Sequence, residues 1–527
     1  MNEVTFDESR FLNIPSGLIK MELEGLYGTS ILQDMYEIIR LYNVYEYGAS
    51  YVQEGDLDYT PADLRYKTVR ALLDKEVRFL FAKPPDFFVD PEMGDTSNER
   101  RKAKDSASVY QRLIDGVLKE NGFSNALLKA AKDCFIGKRV ALMFNINEDS
   151  GIQVSFLPSL EFIYDVDPNN TNILTKIVAF YGLNDAKAKV DQRIYKKKYW
   201  LENGACWYSE EVYDGTGSLV ESLQEPTATR FSFIPAWVII NDGLTGDLVG
   251  VSEIEQLEDY ESWYSRLAAA DMDAERKGMN PILYTIDAAP ESTKALSISA
   301  GAYWDLATDQ NQATERTAQV GVLDSSMSYS SALGVTLDRI KNTMYEQCAV
   351  PNVSPEAMKG VVSSGKTLKA IYWDLIVRCD EKMIAWRPAL EFLANCIIEG
   401  VRLYPGAGRF YIDEPLPELA YTIRVDNQYS LPEDEQEEKQ TDLAEVNAQT
   451  MSRKAYMKKW RNLDDDEADE ELRQIALERQ ILEDSFVEPT PEESSTEDNS
   501  EESEPKEEDF EEPEPKEDNS EESGVVE

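Results

Sequence analysis

The spacing of apolar and polar positions changes several times along the chain, and each change marks a candidate boundary. Between Thr29 and Gly48 the residues Ile31, Met35, Ile38, Ile39 and Tyr42 fall on one stripe. That spacing predicts an amphipathic helix, with Thr29 and Ser30 as candidate caps. A second helix is predicted after Thr60-Pro61 on the stripe Val69, Leu72, Val77 and Leu80, ending before Pro84-Pro85. The stretch "DTSNERRKAKDSAS", Asp95 to Ser108, carries no apolar stripe and reads as a polar loop. Val109 to Gly137 reads as two helical pieces broken near Asn121-Gly122.

The period then shortens. "RVALMFNIN", "IQVSFLPS", "LEFIYDVD", "ILTKIVAFYG", "QRIYKKKYWL", "ACWYSEEVYD" and "FSFIPAWVII" are short runs rich in β-branched and aromatic residues. Turn residues such as Asn169-Asn170 and Asp214-Gly215 separate them. This predicts an antiparallel meander over residues 138–241.

From Gly250 the helical spacing returns. A helix of about 27 residues is predicted from near Ser252, roughly 40 Å long. A small α/β insertion follows at 279–323, with strand-like "PILYTI" and "VGVL". A second long helix ends at Pro351. The longest helical pattern starts at Lys366 and carries Leu368, Tyr372, Leu375, Cys379, Met383, Leu390, Leu393 and Ile397. Pro388 is expected to kink it. "AYTIRVDNQY" reads as a last strand, and residues 434–485 as charged helix.

Composition narrows the chemistry. The chain has 527 residues, 42% of them hydrophobic, and a formal charge of -47 from 100 acidic and 53 basic side chains. A protein that clamps DNA needs a Lys/Arg excess to neutralise phosphates, so this chain is not of that class. It contains no histidine, which excludes Ser-His-Asp and Cys-His catalysis and His-ligated metals. The five cysteines are Cys134, Cys206, Cys348, Cys379 and Cys396; they are scattered, with no C-x-x-C spacing, and read as reduced structural thiols. No cofactor or metal is expected. "MNEVTFDESR" is not a secretory signal, and no apolar run approaches the roughly 20 residues of a membrane span. A soluble, intracellular product is expected. Residues 486–527 hold 19 acids and 2 lysines, which gives -17 and leaves -30 for the rest. This tail, with "EDNSEES" twice, is expected to be disordered.

One motif competes for the function. "GVVSSGKT", Gly360 to Thr367, fits G-x-x-x-x-G-K-[ST], the loop that cradles nucleotide phosphates. That loop must leave a buried parallel strand. Here "AVPNVSPEAMK" precedes it, and Pro351 and Pro355 suit such a strand poorly. No hydrophobic strand ending in Asp follows. The other reading is a small loop in which Ser363 or Ser364 caps the long helix.

The order of parts resembles the portal protein of tailed double-stranded DNA bacteriophages, the type found in long-tailed phages of Gram-positive hosts. The resemblance rests on "GVSEIEQLEDYESWYSRL", "GVVSSGKTLKAIYWDLIVRCDEK" and "MSRKAYMKKWRNLDDDEADEELRQIALE", and it spans Thr29 to Asp484. It implies an α+β, mostly helical portal fold. The expected parts are an antiparallel wing (1–250), two long stem helices (251–278 and 324–350) and a small α/β clip (279–323). A tunnel loop (351–365), a long kinked tunnel helix with wing return (366–433), a helical crown (434–485) and the disordered acidic tail (486–527) complete it. It also implies a ring of about twelve copies closed by rotation. Double-stranded DNA would pass through the ring. Its other partners would be a terminase packaging motor, a head-tail adaptor, scaffold and the major capsid protein, with no membrane. The location implied is the portal vertex of the virion, after assembly in the host cytoplasm. No enzymatic activity is implied; the alternative is a P-loop ATPase subunit using Gly360 to Thr367. The candidate DNA-facing residues are Lys359, Gly360, Val361, Val362, Ser363, Ser364 and Lys366 at the loop, with Arg276, Lys277, Arg339 and Lys341 on the stem.

Overall fold

The structure is a computed structural model. It describes residues 14–22, 26–52, 59–92, 96–182, 188–279, 282–293, 306–309, 317–323, 328–352, 369–429, 435–461, 463 and 465–485. The loop candidates from Lys359 to Lys366, the whole of Gly360 to Thr367, and the tail 486–527 lie outside these residues. The chain divides into two compact units, 1–433 and 434–527. It mixes helices with antiparallel sheets, an α+β composition.

The first unit opens with α1 (Ser16–Met21), α2 (Leu26–Tyr47) and α3 (Thr68–Phe81), then β1 (Asp86–Pro91). The stretch expected to be a polar loop is helical instead: α4 spans Ser97–Glu120. Its start rests on a capping box. The Thr96 hydroxyl accepts from the Glu99 N–H at 3.3 Å, and the Glu99 carboxylate accepts from the Thr96 N–H at 3.1 Å. Two orphan donors are thereby satisfied before any apolar residue appears. The apolar stripe begins only at Ala107 and runs through Tyr110, Ile114 and Val117. The expected break after α4 is present. Gly122 adopts φ 58°, in the left-handed region, and α5 (Phe123–Gly137) follows.

Eight strands fill residues 139–240. Strands β4 (Phe162–Asp167), β5 (Asn170–Gly182), β6 (Ile194–Glu202), β7 (Ala205–Tyr213) and β8 (Leu219–Ala228) pair in sequence order as a meander. The other three form a separate sheet. Its centre is β2 (Arg139–Asn147), flanked by β3 (Gly151–Pro158) and by β9 (Ala236–Ile240), which returns after the meander. The expected single meander is therefore two sheets.

Helix α6 (Glu258–Gly278) starts about two turns later than expected. Ser252 to Leu257 form turns pinned in the core: the Ser252 hydroxyl donates to the Phe135 carbonyl at 3.2 Å, and Ile254 and Leu257 are buried. Beyond α6 come β10 (Ile282–Ile286), α7 (Pro290–Thr293) and β11 (Gln319–Leu323). Strands β10 and β11 pair antiparallel from Ile282↔Leu323 to Ile286↔Gln319. Helix α8 (Ser330–Gln347) runs back along α6, with the Gln347 amide donating to the Tyr260 hydroxyl at 3.2 Å.

Helix α9 (Trp373–Leu403) supplies one wall of the core. It buries Leu375, Cys379, Met383, Trp386, Leu390, Leu393 and Ile397, the stripe read from the sequence. Trp386 packs against Phe81 and Phe156, with ring centroids 5.1 and 6.4 Å away. The helix runs unbroken through Pro388, which lies on its exposed face. After α10 (Pro405–Gly408), β12 (Tyr421–Asp426) pairs antiparallel with β1.

The second unit holds α11 (Glu435–Asn447), α12 (Arg453–Arg461) and α13 (Asp465–Ser485). Helix α12 is basic, and its neighbours neutralise it. Lys459 pairs with Asp442, Lys454 with Asp469 and Arg461 with Glu471, at 2.6–2.8 Å. Among the described residues, no helix is long and apolar enough to cross a membrane.

Candidate functional site

The α6–α8 pair, with its β10–β11 ribbon, carries the four stem cations named from the sequence. Within the first unit, it is fastened to the preceding helices through side chains of α6. Helix α3 has no side-chain cap of its own at Lys67; Glu261 of α6 supplies one. Its fully buried carboxylate accepts from the Val69 N–H at 2.8 Å and the Ala49 N–H at 2.9 Å. A carboxylate at a helix N-terminus satisfies orphan donors and complements the helix dipole. Further along α6, the Ser265 hydroxyl accepts from Tyr66 N–H at 3.1 Å and Asp273 accepts from Ala62 N–H at 3.0 Å.

Two buried ionic joints anchor the approach to α6. In one, Lys138 sits at φ 69° with its Nζ at 2.8 Å from Asp34, 3.0 Å from Glu37 and 2.7 Å from Glu255. Burial alone would lower the Lys138 pKa, but hydrogen bonds to the three carboxylates outweigh it and raise the value. Arg139, fully buried, pairs with the same Asp34 at 3.0 Å. Arg40 of α2 pairs with Glu258 in the first turn of α6.

The second joint gathers five segments. Arg378 of α9 pairs with Glu76 of α3 at 2.8 Å, pairs with Glu253 before α6, and donates to the Gln347 carbonyl at the end of α8 at 3.2 Å. Lys382 pairs with Glu253 and donates to the Asn241 side chain at 2.9 Å. Asn241 donates to Glu253 in turn, at 3.0 Å. Two acids thus share two bases in a core environment. Glu253 is held below the ordinary carboxylate range because Lys382 and Arg378 outweigh its burial. Glu76 is pushed up to about 7, chiefly by burial and then by Glu253, against Arg378 and Lys382. Its Oε2 has no hydrogen-bond partner.

The stem cations do not form one cluster. Arg276, at the C-terminal end of α6, donates to the Thr60 carbonyl at 2.9 Å and pairs with Asp273 at 3.1 Å. Lys277 is the next residue of the same helix. Arg339 and Lys341 are exposed in the C-terminal half of α8. The helices run antiparallel, with Gln347 beside Tyr260, so Arg276 lies toward one end of the pair and Arg339 near its middle.

The remaining chemistry is quiet. All five cysteines are buried and their thiols are pushed up by burial, Cys206 to about 11 and Cys348 to about 12. A protonated buried thiol is a poor nucleophile. Among the described residues, no group of acids and cysteines could hold a metal ion. Upstream of Gly360 the described chain is α8, a turn at Cys348–Ala349 and residues without regular structure to Asn352. All strand pairs of the described ladders are antiparallel.

The sequence reading passed over Glu76, Glu253, Glu261 and Arg378. One signal was present: Glu76 sits four residues after Leu72 on the apolar stripe of α3, a phase that buries a charge. Its partners lie too far along the chain to be paired by spacing.

The sequence profile described as "Phage portal protein, SPP1 Gp6-like" matches residues 31–482. Comparison with curated proteins finds no match. Among solved structures, the chain is similar to one from the "Neck of empty GTA particle computed with C6 symmetry", at 11% identity and a TM-score of 0.37, covering 74% of this chain and 87% of that one. It is also similar to one from the "Neck of native GTA particle computed with C12 symmetry", at 10% identity and a TM-score of 0.35, covering 80% and 92%.

Proposed function

This chain belongs to the SPP1 Gp6-like family of phage portal proteins, and from that premise we propose that its copies close into a ring at one capsid vertex, around an axial passage for double-stranded DNA. The carrying observation is the α6–α8 pair. Helix α8 spans 18 residues, yet Met344 alone among them is fully buried. Such a helix gains its remaining cover from neighbouring copies.

The parts follow the sequence boundaries: wing 1–250, stem 251–278 and 324–350, clip 279–323, tunnel loop 351–365, tunnel helix 366–433 and crown 434–485. The clip would dock the packaging motor and later the head-tail connector. A wall built from a chain of charge -47 repels phosphate and keeps sliding barriers low. Transient contacts fall to Lys359, Lys366 and the small residues between them, and on the stem to Lys277 and Lys341. Arg276 is engaged within its own subunit.

The string Gly360 to Thr367 offers the competing motor reading. A packaging reaction with a separate motor distinguishes the two. Heads assembled with the chain are expected to protect DNA from nuclease, and heads without it to stay empty. Lys366→Ala should leave ATP turnover by the purified chain at background. Equal protection in both sets of heads, or turnover lost with Lys366→Ala, contradicts the proposal.

A further inference from the structure

Two distant parts of the chain share one aromatic ring. Phe79, near the C-terminal end of α3, stacks with Tyr372, the ring centroids 5.7 Å apart and the planes 11° apart. It also stacks with Tyr429, at 5.2 Å and 8°. Nearly parallel rings at such separations are offset stacks, which contribute beyond the area they bury. All three side chains are half-buried and pack on the core.

The two tyrosines stand at the ends of segments. Tyr372 is the N-cap residue of α9, and its carbonyl accepts from the Ile376 N–H at 2.9 Å. It comes shortly after 353–368, the stretch that holds Gly360 to Thr367. Tyr429 comes just before 430–433, the last residues ahead of the second unit. Its hydroxyl donates to Asp380 of α9 at 2.5 Å, and the Asn427 side chain donates to the Leu80 carbonyl, beside Phe79, at 3.3 Å. Helix α3 is the fixed member: it buries Leu72, Leu73, Val77 and Leu80, and Glu261 caps its start.

We propose that Phe79 is a clasp through which the start of α9 and the end of the first unit loosen together. The first tyrosine to stack orders the Phe79 side chain, so the second stacks on a ring already held in place; loss of either frees that ring and weakens the other contact. Local openings at the two segments are thereby coupled, though more than fifty residues separate them in sequence. The clasp is a property of one chain. On the ring reading above, it would give the DNA-facing loop and the chain entering the crown a common fixed point.

Hydrogen exchange of the full chain, read by mass spectrometry, tests the coupling. Tyr429→Leu is expected to speed exchange at residues 373–380 of α9 by about two- to tenfold, the range of one aromatic contact. Tyr372→Leu should speed exchange at residues 425–429 by a similar factor. Phe79→Leu should speed both, and either tyrosine change added to it should have little further effect. Tyr429→Phe removes only the bond to Asp380 and should leave α9 exchanging like the wild type. Unchanged exchange in the β6–β7 ladder shows that each variant is folded; if Phe79→Leu fails this check, the two leucine variants at the tyrosines decide. Tyrosine changes that loosen only their own ends, or a Tyr429→Phe effect equal to that of Tyr429→Leu, overturn the clasp and leave the ring reading standing.

Discussion

Arg378→Ala is expected to destabilise the chain by about 3–5 kcal/mol, the range for breaking a buried ion pair from one side. The size follows from what the guanidinium holds. It pairs with Glu76, with Glu253, and donates to the Gln347 carbonyl. Its removal leaves two buried carboxylates with Lys382 as the remaining cation, and strands an acceptor at the end of α8. Arg378→Lys should recover only part of the loss, because an ammonium cannot present the planar fork that reaches two carboxylates at once. Urea denaturation of the three proteins checks this. A loss below about 1 kcal/mol, the range of exposed pairs, would mean that the joint carries no weight.

The second large effect is a dependence on pH. Glu76 is fully buried and its pKa is pushed up to about 7, from an ordinary value of 4.5. The folded state therefore binds this proton more tightly than the unfolded state. Burying the ionised form costs stability above about pH 7. That cost is relieved as pH falls from 7 toward 4.5, by on the order of 3 kcal/mol. Glu76→Gln removes the titration. The stability of the wild type relative to Glu76→Gln should rise as pH is lowered from 8 to 5, measured by denaturant unfolding at each pH. A difference that stays flat, or rises with pH, contradicts the assignment.

Both effects sit in a joint that the sequence hides. Its charges come from positions 76, 253, 378 and 382, and hydrophobic spacing carries no information about which distant acid meets which base. The pairing of β1 with β12 was hidden for the same reason, since Phe87 meets Val425 across more than three hundred residues. Local signals fared better. The stripe of α9 from Leu375 to Ile397 was readable because its spacing alone sets the buried face. The break at Gly122 was readable because a left-handed residue ends a helix. The start of α4 was legible in principle: Thr96 and Glu99 spell a capping box, but a polar first turn masks a helix when apolar spacing is the only guide. The late start of α6 follows from tertiary contacts of Ser252 with α5, which no local pattern encodes. The loop motif Gly360 to Thr367 lies outside the described residues, and only its sequence context, with Pro351 and Pro355 ahead of it, bears on it.

The central claim is a closed ring with a passage, and electron microscopy of the purified full chain tests it most directly. The account predicts a symmetric closed ring with an axial hole wide enough for duplex DNA, persisting across a range of salt concentrations. Single chains only, or particles with no hole at any salt concentration, would contradict it.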